Sequence, residues 1–239
     1  MHKSFFVDTT VCMACRGCQV ACKQWHDLPA EETQNRGSYQ NPEDLSFNTY
    51  KLVRMNEAII DGKIKWLFFP DQCRHCMVAP CQDTAKDARA IFTDAATGAV
   101  IYTAHTKGLD ADEIIEACPY NIPRKAADGT LAKCDMCLDR VQNGLEPACV
   151  KTCPNGAMNF GDRKDMSDLA VQRLKDVKQK NPQAALLDMV DVRVIYLVEY
   201  DPKLYHEFAV ASNSVFDINR AVALKRMMRP ITGMVSRLA

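Results

Sequence analysis

Twelve cysteines stand in four places along this chain, and their spacing constrains the fold more than any other feature. The run "CMACRGCQVAC" holds Cys12, Cys15, Cys18 and Cys22, and "CDMCLDRVQNGLEPACVKTCP" holds Cys134, Cys137, Cys149 and Cys153. Between them, "CRHCMVAPC" holds Cys73, Cys76 and Cys81, and Cys118 stands by itself before Pro119. Disulfide frameworks belong to short secreted chains that cannot build a core; CxxC groups in a chain of 239 residues read instead as metal-binding.

The spacing CxxCxxCxxxC suits an iron–sulfur cubane for a geometric reason. A tight loop aims three thiolates at three corners of one cluster, and the fourth cysteine points elsewhere, in ferredoxin-type folds to the other cluster of a pair. A structural zinc site wants four ligands closing one tetrahedron, commonly two CxxC pairs, so the triple run leaves an awkward remainder. By exchange, Cys12, Cys15 and Cys18 take Cys153 as their fourth ligand, and Cys134, Cys137 and Cys149 take Cys22.

The remaining cysteines complete a third set. In the run that starts at Cys73 the exchanging position is Ala85, while Cys118 is an exchanging cysteine with no trio of its own; counting back from it falls on Gly108, Ala111 and Ile114. The four absent ligands are those of one cluster. Cys73, Cys76, Cys81 and Cys118 therefore form a complete set, and the chain reads as three [4Fe-4S] clusters in a framework laid out for four. A lost internal site would break an electron path, so this third cluster is expected towards one end of the row.

At this point the sequence resembles a known family, the iron–sulfur subunits of molybdenum and tungsten bis-pterin oxidoreductases. The resemblance runs from about Phe5 to Phe160 through "CMACRGCQVACKQW", "CRHCMVAPC", "ACPYNIP" and "KCDMCLDRVQNGLEPACVKTCPNGAMNFGD", in that order. Together with "CRGCQVACKQWHDLPAEET", the three-cluster pattern looks most like the small subunit of soluble formate dehydrogenases of sulfate-reducing bacteria. The resemblance implies a non-catalytic electron-transfer subunit, a large partner with a molybdenum or tungsten bis-pterin site and a further cluster, and an acceptor such as a cytochrome c. It also implies periplasmic export alongside that partner, with the cytoplasm as the alternative. The rival readings are a small subunit for polysulfide, nitrate or another oxyanion, and a multi-zinc structural protein.

Composition agrees by exclusion. Thirty basic and thirty acidic residues cancel, leaving no global field for nucleic acid or an anionic membrane. The start "MHKSFFVDTT" lacks the long apolar stretch of a signal peptide, and the apolar runs "WLFF" and "VRVIYLV" fall far short of the roughly 18 residues of a membrane span. No Ser-His-Asp set, paired-carboxylate motif or glycine-rich phosphate loop stands out, so no catalytic residues are assigned. His26 and His75 lie beside cysteine runs that are already complete, and Trp25 and Trp66 read as packing around a cluster.

The expected fold is α+β, with two ferredoxin-like units interleaved in residues 1–160 and a cover of helix and strand in residues 161–239. "TYKLVRM" and "KIKWLFF" read as two strands, and "AIFTDAATGAVIY" as two more joined by a turn at Ala95 to Gly98. The cysteines are expected in loops between them. "LPAEETQNRGSYQNPEDLSFN" reads as a surface excursion. "DMSDLAVQRLKDVKQKNP" places Met166, Ala170, Leu174 and Val177 on one helical face, and "VRVIYLV" reads as a buried strand. The basic segment "DINRAVALKRMMRPITGMVSRLA" reads as a solvated helix docked on its own domain and interrupted at Pro230, with a seat for a partner subunit as the alternative.

Overall fold

A computed structural model describes residues 2–211, so the basic segment from Asp217 lies outside the described residues. The chain opens with β1 (Lys3–Asp8) and α1 (Gly17–Trp25), crosses a long irregular excursion, and forms β2 (Leu52–Ile60) and β3 (Lys63–Asp71). Then come α2 (Pro80–Ala85), β4 (Ile91–Thr93), β5 (Val100–Tyr102), α3 (Ala111–Glu116), β6 (Arg124–Lys125) and β7 (Leu131–Ala132). The last part carries α4 (Leu138–Gln142), α5 (Ala148–Lys151), β8 (Met158–Asp162), α6 (Arg163–Lys178), β9 (Ala185–Leu187) and β10 (Val194–Val198). The architecture is α+β. Among the described residues no helix is long and apolar enough to cross a membrane.

One four-stranded sheet, in the order β8-β1-β10-β9, backs the cysteine region. β1 runs parallel to β10 and antiparallel to β8. Side chains alternate across a strand, and here the two faces have different neighbours. Phe5 and Val7 of β1, with Val194, Tyr196 and Val198 of β10, pack on the side that holds Cys18 and Cys149. Phe6, Ile195 and Leu197 face the other way, onto Ala170 and Val177 of α6, with Met166 and Leu174 at the edge. That is the helical face the spacing predicts. Because both faces are covered, every residue of β10 is buried, which explains why it reads as an unbroken apolar run. Each such aliphatic side chain contributes on the order of 1.5–3 kcal/mol. The sheet thus joins strands from both sides of position 160.

β2 and β3 form a hairpin across the two-residue turn Asp61-Gly62, where both residues adopt the positive φ that a tight hairpin turn requires. Its inner end is core: Phe69 stacks on Tyr196 at 4.3 Å between ring centroids. Its outer end carries the cross-strand pair Ile59 and Ile64, both exposed. β4 and β5 also pair, as their sequence suggests, across a turn in which Gly98 has φ +80° and a Cβ would lie 2.1 Å from Arg193 Nε. Only glycine fits there.

Where a fourth set of cysteines would stand, the chain has built apolar core. Ala111 and Ile114 of α3 are buried with Cys81, Ile91, Val100 and Leu131, and Ala85 of α2 packs against them. Gly108 lies apart: a Cβ there would meet nothing within 4 Å.

Candidate iron–sulfur centres

None of the twelve cysteines forms a disulfide, and the fold collects them around three hollows. The first is lined by Cys12, Cys15 and Cys18 together with Cys153, walled by Val53 and Pro70 of the hairpin. The second is lined by Cys134, Cys137 and Cys149 together with Cys22, with Lys51 and Gln72 beside them. The third is lined by Cys73, Cys76 and Cys81 together with Cys118, with Arg74, Tyr102 and Lys133 in its wall. Each hollow thus takes three cysteines from one stretch and the fourth from a distant one. Cys18 and Cys149 share one apolar cluster and Cys73 and Cys134 another, so the second hollow adjoins both of the others.

Local backbone explains how short loops achieve this. Ala14 and Arg16 in the first run, His75 in the second, and Met136 and Cys137 in the last all have positive φ, between 46° and 69°. Such left-handed residues curl a loop tightly enough to aim successive cysteines inward, at a cost of order 1–3 kcal/mol each that the surrounding structure must offset. Backbone amides then serve the sulfurs: the His75 N–H donates to Cys73 Sγ at 3.3 Å, and those of Tyr120 and Ile122 bond to Cys118. The cysteines are not all in loops, however. Cys18 and Cys22 lie in α1, Cys81 in α2 and Cys149 in α5. Residues four apart stack one turn above the other on a helix, so α1 presents Cys18 to the first hollow and Cys22 to the second.

The residues fit iron–sulfur clusters on two counts. Burial pushes the Cys12 thiol up to about 11 and the Cys118 thiol up to about 12, with neighbouring cysteines adding to both. Four gathered thiolates need a cation to be stable, and metal binding releases the proton from each. Secondly, several buried donors have no protein acceptor, Gln72 Nε2 beside the second hollow and Arg74 Nε and Nη2 beside the third, while the Tyr102 hydroxyl is aimed at the sulfur of Cys81. Sulfur-rich anionic groups would accept from them.

Residues 64–163 match the family model of a 4Fe-4S dicluster domain. The chain is 60% identical over 215 residues to the formate dehydrogenase subunit beta of Megalodesulfovibrio gigas, covering 88% of this chain and 100% of that one. It is 52% identical over 216 residues to the formate dehydrogenase 2 subunit beta (cytochrome c-553) of Nitratidesulfovibrio vulgaris, covering 87% and 99%. The chain belongs to the formate dehydrogenase beta subunits. Similarity extends to the iron-sulfur subunit of the nitrate-inducible formate dehydrogenase of Escherichia coli, 37% identical over 207 residues and covering 84% and 70%. A beta subunit of this kind carries iron–sulfur clusters, transfers electrons and works with a catalytic subunit.

Around the hollows this beta subunit places polar groups that the cysteine spacing does not announce. Arg74 is buried, its guanidinium 4.5–5.1 Å from the ring centroids of Phe69, Tyr120 and Tyr196. Its Nη1 donates to Asp71 Oδ1 at 2.9 Å, and Arg54 Nε donates to Asp71 Oδ2 at 2.7 Å. Burial raises the Asp71 carboxyl, but Arg74 and Arg54 outweigh it and hold it below the usual range. Lys51 donates to Gln72 Oε1 at 2.6 Å and to the Pro70 carbonyl at 3.2 Å. One signal could have found it: in "YKLVRM" Lys51 shares the strand parity of Val53 and Met55, which pack inward.

The histidines have partners other than metal. His75 Nδ1 accepts from the Val100 amide at 3.0 Å. His26 bonds Asp135 Oδ1 through Nε2 and the Cys22 carbonyl through Nδ1, both at 2.9 Å. The tryptophans depart from the sequence reading. Trp25 is 43% exposed, with Nε1 donating to Asp139 and Arg140 over its ring, and Trp66 is 51% exposed on the hairpin beside Tyr39. Neither lines a cysteine hollow. Strand parity turns Trp66 outward from buried Leu67, and the amphipathic α1 leaves Trp25 on its outer side.

Proposed function

We propose that this chain passes electrons one at a time through three [4Fe-4S] clusters, between a molybdenum or tungsten bis-pterin catalytic subunit and an external acceptor of the cytochrome c type. The ligand sets are Cys12, Cys15, Cys18 and Cys153; Cys134, Cys137, Cys149 and Cys22; and Cys73, Cys76, Cys81 and Cys118. The observation that carries the reading is the grouping itself, three hollows of four cysteines with every fourth member supplied from a distant run. Each cluster, when bound, takes up and releases a single electron. The chain's own residues hold the thiolates, donate amide hydrogen bonds to sulfur and exclude water with apolar walls, which tunes potential through charge, hydrogen bonding and exposure.

The chain is read as non-catalytic, the formate chemistry belonging to the large subunit. The third set is read as one end of the row, because the second hollow adjoins both others. Residues 1–160 supply every ligand, and residues 161–239 are read as cover. A periplasmic location rests on the likeness to the relative whose name includes cytochrome c-553.

Iron and labile sulfide should each number about twelve per chain, three clusters of four. About sixteen irons in this chain, or colourless protein holding zinc, would refute the reading. Crossed ligation has its own test. Cys22→Ser should perturb the cluster of Cys134, Cys137 and Cys149, and Cys153→Ser that of Cys12, Cys15 and Cys18. Site-resolved spectra showing the reverse would overturn the pairing.

A further inference from the structure

Lys51 is a buried cation with no carboxylate partner. It is 2% exposed, and its two hydrogen-bond acceptors, Gln72 Oε1 and the Pro70 carbonyl, are both neutral. Among the described residues no ion pair involves it. Beside the third hollow, Arg74 is paired with Asp71, whereas buried Lys133 resembles Lys51 in bonding carbonyls, those of Val100 and Cys134. An ammonium taken out of water without a counter-charge costs several kcal/mol, so the fold must offer it negative charge by another route.

The position of Lys51 supplies that route. The residue lines the second hollow together with Cys134 and Cys149. The carbonyl that receives its ammonium belongs to Pro70, which lines the first hollow with Cys18. The ammonium bonds the side chain of Gln72 in the wall of the second hollow and the carbonyl of Pro70 in the wall of the first. The lysine thus stands in the partition between two hollows.

We infer that Lys51 is a shared counter-ion for the first and second clusters, a positioning charge that makes both easier to reduce and eases the repulsion between them when both hold an electron. This rests on the three-cluster reading. A fixed positive charge in a medium of low dielectric stabilises each added electron, and its effect on two neighbours at once keeps their reduction equilibria in step. Neither Lys51 nor Pro70 lines the third hollow, so the third cluster is expected to respond least.

The test is an anaerobic redox titration followed by electron paramagnetic resonance, on the whole complex with its catalytic subunit. The wild type must first show about twelve irons in this chain and three signals assignable to it; a shortfall there sinks the cluster reading and not the role of Lys51. In Lys51→Gln, two of those reduction equilibria should move at least tenfold towards the oxidised state, 59 mV to the negative for one electron. The third should move least, and Lys51→Arg should restore wild-type behaviour. Unchanged equilibria with iron intact, or a shift confined to the third cluster, overturn the inference. If Lys51→Gln loses iron, Gln72→Glu sets a carboxylate against the ammonium with Lys51 in place, and should give the same negative shift; no shift overturns the inference. Loss of iron in both, with Lys51→Arg intact, supports the need for charge. Loss in Lys51→Arg as well assigns the residue to packing and overturns it.

Discussion

Replacing Arg74 by methionine should loosen the wall of the third centre and the hairpin together. The side chain is 2% exposed and is held by Asp71 at 2.9 Å, by the Gln72 carbonyl, by the Tyr196 hydroxyl at 3.3 Å and by three aromatic faces. Removing one member of a buried ion pair costs about 3–5 kcal/mol. Here Asp71 keeps Arg54 at 2.7 Å, which moves the ionic loss towards the lower end. Desolvated cation–π contacts are worth about 2 kcal/mol, though methionine retains some packing against the rings. These contributions overlap, and about 3–4 kcal/mol is expected, a large share of the ~5–15 kcal/mol that holds a domain together. Anaerobic urea titration followed by visible colour and fluorescence measures it, as a lower midpoint for Arg74→Met. Adding Asp71→Asn should recover part of the loss, with a coupling of at least ~1 kcal/mol because the two groups touch. A single-variant cost below about 1 kcal/mol, or additivity of the two changes within ~0.5 kcal/mol, would refute the argument.

The apolar core that fills the fourth position makes its own prediction. Ile114 is 1% exposed, so Ile114→Ala should cost about 2–5 kcal/mol through lost burial and the cavity left behind; thermal melts should show it, with the iron of the third centre released first. Tyr102 Oη is buried beside Cys81 with no nitrogen or oxygen acceptor, so Tyr102→Phe should shift the third centre to a more negative potential in a redox titration while leaving the other two in place; a change in all three would contradict it. Burial, followed by the charge of Arg54, pulls the His206 imidazole down to about 4. The unfolded chain therefore binds the extra proton first, and stability should fall as pH drops from about 6.5 towards 4, by less than ~1.4 kcal/mol per pH unit. Thermal midpoints of wild type and His206→Gln across that range check it: the variant should show a flatter acid slope.

Much of this protein was decided within short stretches of chain. Cysteine spacing is a local property: two residues separate the first two thiols of the runs at Cys12, Cys73 and Cys134, which leaves those pairs little choice but to share a hollow, although eleven residues separate Cys137 from Cys149. The hairpin turn at Asp61-Gly62, the paired strands around Gly98 and the apolar face of α6 follow from local rules in the same way. Tertiary structure decided what surrounds the sulfur. Lys51 and Arg74 are ordinary surface residues by composition, and only the register that lays the hairpin between the hollows and the insertion of β10 beside β1 bury them. Trp25 and Trp66, apolar enough for a core, were left outside by the helix face and strand parity they occupy. Ligand spacing is encoded within a few bonds, whereas burial and charge depend on segments more than a hundred residues apart, such as Arg74 and Tyr196, meeting in space.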